Sequence, residues 1–69
     1  MEKAVAARIM DAALSIGNEV GKLDSIVSEL ESGPEKEEFV QALGNILSVL
    51  TYEVVFRIAR DHPDLDPDR

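Results

Sequence analysis

Few residues in this chain have the type and setting to do chemistry. His62 is the only histidine in 69 residues. Its acidic neighbours, Asp61 and Asp64, fall at a helix end and in a tail, so as a catalytic base or metal ligand it would lack an enclosing site. It reads as a cation at a helix C-terminus. Di-metal carboxylate bundles place Glu-x-x-His pairs inside the core, and no glutamate here has a histidine three residues on. Asp64, Asp66 and Asp68 alternate like the first half of a calcium loop, but the glycine at loop position six and the distal glutamate are missing. With no cysteine, disulfides and thiolate metal sites are excluded. The reading is a non-enzymatic chain with no cofactor, no metal and no catalytic residue.

Composition points the same way. Net charge is −7, which argues against nucleic acid and against anionic membrane surfaces, both of which need a basic footprint. The first residues show no apolar leader core, so a cytoplasmic location is expected. Apolar residues make up 45% of the chain with few aromatics, which suits a helical bundle. A domain this short is marginal without disulfides, metal or oligomerisation, and only association remains open.

The chain is organised around Phe39–Ile58. Val40, Leu43, Leu47, Leu50, Val54 and Ile58 recur at helical spacing, with Phe39 and Ile46 widening the stripe. A second set, Val49, Tyr52, Phe56 and Ala59 with Val55 on its shoulder, lies on the other side of the same helix. A helix apolar on both sides is normally buried, and one partner helix cannot cover both. Val49, Tyr52, Val55, Phe56 and Ala59 are therefore the candidate partner interface. A membrane span is set aside because Gln41, Asn45, Glu53 and Arg57 interrupt the run.

Upstream, Ile9, Ala13, Ile16, Val20, Leu23, Val27 and Leu30 alternate steps of four and three, a seam of coiled-coil type, with a polar face opposite. Gly17 and Gly21 fall inside it. The seam keeps phase across both, which favours one continuous helix over two short ones. With Ala6 and Ala13 they form a flank of small residues, matched by Gly44 and Ser48, that would let two backbones approach closely. Glu31-Ser32-Gly33-Pro34-Glu35 punctuates the chain. Gly33 suits a left-handed helix end, Pro34 suits a helix start, and Ser32 with Glu35 has capping-box spacing.

The sequence thus predicts an all-α hairpin over residues 1–62: a helix over 2–31, a turn over 32–34 and a helix over 34–61, followed by an acidic, mobile tail over 63–69. Leu65 is either a docking residue or part of the fold. Acidic residues gather at the turn (Glu29, Glu31, Glu35, Glu37, Glu38) and basic ones at the open end (Lys3, Arg8, Arg57, Arg60). Two hairpins packed antiparallel would pair these ends. The expected assembly is a homodimeric four-helix bundle. The expected role is that of an adaptor or regulator that binds proteins. The alternative is a small chaperone or antitoxin-like chain whose second helix is completed by a different protein.

Overall fold

The computed structural model describes residues 1–67, so Asp68 of the alternating aspartates lies outside the described residues. The fold is all-helical, with no strand among the described residues. Helix α1 spans Lys3–Val27 and crosses both glycines without a break. Helix α2 spans Pro34–Val49. It runs through a π-helical segment, Leu50–Val55, into α3, Phe56–Asp61. Ala6 and Met10 of α1 pack on Ile58 of α3, while Val20 and Val27 pack on Leu43 of α2. These contacts fix the two rods as antiparallel.

The first helix ends at Val27, four residues before the expected Glu31. Serine hydroxyls there bond to backbone carbonyls, and that of Ser28 takes the acceptor the Glu29 amide would otherwise use. The Ser25 hydroxyl donates to the Gly21 carbonyl at 3.2 Å and the Ser28 hydroxyl to the Ser25 carbonyl at 2.6 Å. The Glu29 and Leu30 amides then donate only three residues back, to Ile26 and Val27, which tightens the chain out of α-geometry. Lys36 Nζ reaches across the turn to the Ser28 carbonyl at 3.3 Å, placing a cation at the negative end of α1.

Pro34 opens α2 as expected, but its N-cap is Gly33 and no side chain caps it. Ser32 is one residue too early, so the capping box does not form. Gly33 has φ 158° and ψ −175°, an extended positive-φ state rather than the left-handed helical one expected, and one that is essentially confined to glycine.

The π segment was not expected. The Phe56 amide donates to the Thr51 carbonyl five residues back. One extra residue in the turn sets back the phase of everything after it by about 100°. Val55 and Ala59, expected outside, are thereby brought toward α1 beside Val54, which was expected there; all three pack on the Ala6–Met10–Ile58 cluster.

The first residues of the expected tail, Pro63–Leu65, are more ordered than expected. Pro63–Leu65 forms a 3₁₀ turn, Leu65 packs on the same cluster, and Lys3 pairs with Asp64. Leu65 therefore belongs to the fold.

The small-residue flanks do not meet. A Cβ on Gly17 would touch only the Leu50 side chain at 3.9 Å, and Gly21 and Gly44 have open space around them. Close backbone packing is thus absent at both.

Candidate interaction surface

Two antiparallel helices can bury only the row of residues on each that faces the other. On α1 that row is Ala6, Met10, Ala13, Val20 and Val27, all buried, with Gly17 in phase beside Leu50. Ile9, Ile16 and Leu23, the other half of the expected seam, are exposed. They stand seven residues apart, one row to the side. On the second rod Leu43 and Ile58 are buried, while Phe39, Val40, Ile46 and Leu47 are exposed. A seam with steps of four and three carries two adjacent rows, and a single hairpin covers one of them.

The uncovered row of α1 does not stand alone. Ile16 lines one groove with Ile46, Val49, Leu50 and Val54, joined by Asn45. Ile9 lines the next groove along, with Val54, Ile58, Glu53 and Arg57. Ile9 and Ile16 thus share one broad face with Ile46 and Val49, and Leu23 and Phe39 extend it by one seven-residue step each. The face is apolar along its middle, and Glu53 and Arg57 close it at the open end.

The five residues expected at an interface divide. Val49, Tyr52 and Phe56 are 61%, 65% and 49% exposed. Val55 and Ala59 are half-buried against the hairpin's own core, because the π segment turns them inward. Tyr52 and Phe56 stack edge to face with ring centroids 5.2 Å apart. That geometry favours the aromatic quadrupoles but leaves both rings uncovered. Sequence reasoning missed Ile9, Ile16 and Leu23 as surface residues. Their signal was present in the double-row seam, which is wider than one partner helix can bury.

The extent of uncovered surface is unusual for the size. The accessible area is 5268 Å², where a compact folded monomer of 7.6 kDa would show about 4,300 Å². The Cα radius of gyration is 14.5 Å, against about 11 Å for a compact domain of this length. The molecule is a rod of 45 × 19 × 16 Å, two helices thick.

No group of three or more potential metal ligands occurs among the described residues. His62 is half-buried at the C-cap of α3. The whole of Pro34–Asp61 forms one 28-residue helical rod; its most apolar window has mean hydropathy 1.5 and is 11% buried. By length and composition this rod passes the test for crossing a membrane, despite the polar residues that set that reading aside in the sequence. Core helices of soluble proteins can be equally long and apolar, but they are mostly buried.

Comparisons with protein-family models, with curated proteins and with solved structures find no match.

Proposed function

We propose that this chain is a non-enzymatic protein-interaction module that works as a homodimer, two hairpins pairing into a four-helix bundle. The observation that carries the reading is the uncovered apolar row on both rods, Ile9, Ile16 and Leu23 beside Ile46 and Val49. Leaving such a row in water opposes folding of a chain whose own core is seven residues among those described, because apolar burial is the main favourable term in folding. A second copy supplies the missing cover without any further gene product, and a two-fold dimer is the commonest closed assembly. The dimer would then present its outer surface and the acidic turns to other proteins as an adaptor or regulator.

Solution mass, measured by light scattering on a sizing column at two protein concentrations, tests this directly. A mass of twice the chain that holds on tenfold dilution is the expected result. A well-folded monomer at both concentrations would overturn the homodimer. A monomer with weak helical circular dichroism would instead favour the second reading, a chain completed by a helix from a different protein. For that reading the exposed Tyr52–Phe56 pair is the favouring observation, since aromatics are enriched at interface cores.

A further inference from the structure

Resting on the homodimer reading, we infer that the second copy docks on the Ile9–Ile16–Leu23 and Phe39–Ile46–Val49 face, antiparallel, and that the Tyr52–Phe56 edge stays outside the seam. Four observations lead there. The face draws on both rods, joined by the continuous groove of Ile16, Ile46, Val49, Leu50 and Val54, whereas Tyr52 and Phe56 come from one rod alone. Ile9, Ile16 and Leu23 repeat every seven residues, as do Phe39 and Ile46; this is the spacing that keeps a seam facing its partner along a left-handed supercoil. The chain exposes about 1,000 Å² more than a compact monomer of its mass would, and a stable interface of standard size covers about 800 Å² per partner.

The fourth observation is charge, and it sets the direction. Arg57 lines the open end of this face between Glu53 and Asp61, and Arg60 follows on the next turn, so this end is mixed in charge where the other is acidic. The opposite end carries Glu35, Glu37 and Glu38 at the start of α2. Parallel stacking would set acidic end on acidic end. Antiparallel stacking lays each Arg57 end along the partner's glutamate end. For a two-fold pairing of these faces, the antiparallel choice puts the axis across the middle of the rod. Each helix then runs antiparallel to its own copy. Ile16 and Val49, both within about one turn of the midpoints of their rods, come to lie near their own counterparts. Ile9 comes to lie near the partner's Leu23.

The chain has no cysteine, so single cysteines report the geometry with no background. In the full chain, Val49→Cys should link to itself through a short bis-maleimide. Ile9→Cys and Leu23→Cys should each fail alone and link when the two variants are mixed. Ile46→Glu should halve the solution mass, and Phe56→Glu should leave it unchanged. Self-linkage of Ile9→Cys without the mixed product would overturn the antiparallel direction. Linkage of Tyr52→Cys in preference to Val49→Cys would overturn the face. A folded monomer would overturn the homodimer itself; if that monomer sediments with uncharged phosphatidylcholine vesicles, the face is a lipid-contacting one. Because the cross-links need no disruptive substitution, they decide the matter even if Ile46→Glu fails to fold.

Discussion

Gly33 and Gly21 lack the same side chain, to opposite effect. Gly33 holds a backbone conformation that an added Cβ would strain, at a cost of order 1–3 kcal/mol. Gly21 sits in a helix interior with nothing within 4 Å of an added Cβ, where alanine is favoured by about 0.5–1 kcal/mol. Gly33→Ala should therefore lower the midpoint of thermal unfolding and Gly21→Ala should raise it. Each kcal/mol corresponds to roughly 4–8 °C in a domain of this size. Circular dichroism at one fixed protein concentration reads both, since the midpoint of a dimer depends on concentration. Gly17→Ala belongs with Gly21, because its Cβ would meet Leu50 at ordinary contact distance. A loss of stability at Gly21 would bring back the close helix approach that the spacing of small residues had suggested. Sequence spacing identifies which residues are small. Only the position of the facing rod decides whether their smallness is used.

At the scale of elements, helix type and hairpin order were legible, because Pro34, the seam of the first helix and the stripe of the second all agree. What could not be read was phase after Leu50. A strict 100° per residue carries Val55 and Ala59 to the outside; a single π turn brings them in, and nothing in the residue types marks where such a turn will form. The same limit applies to the end of α1, where the Ser28 hydroxyl occupies the Ser25 carbonyl. The tail was misjudged for another reason. Its composition is that of a mobile segment, but Leu65 finds an apolar patch beside Met10 and Ile58. Ending the chain after His62 should thus cost about 1–2 kcal/mol in urea unfolding, the burial of part of a leucine. Lys3→Ala should cost less than about 1 kcal/mol, because its pair with Asp64 is exposed. An unchanged urea midpoint on truncation would mean that the tail does not dock.

For the whole molecule, shape turns the association argument into a length. A rod 45 Å long and 16–19 Å across has two ways to pair with itself. Contact through the ends would nearly double the long dimension and would leave Ile9, Ile16, Ile46 and Val49 in water. Contact along the sides keeps the long dimension and covers them. Apolar area is what association gains most from, and that area lies along the side of the rod. Small-angle X-ray scattering should therefore give a dimer whose longest dimension, allowing for hydration, stays close to that of the 45 Å rod, while its cross-section broadens to four helices. The thermal midpoint of the same samples should fall on tenfold dilution, because a state stabilised by its partner is stabilised by mass action. A dimer of nearly twice the rod length would place the contact at the turn or the open end, where charge is densest and apolar area least. In that case the groove beside Ile16 would have to be filled by something other than a second copy.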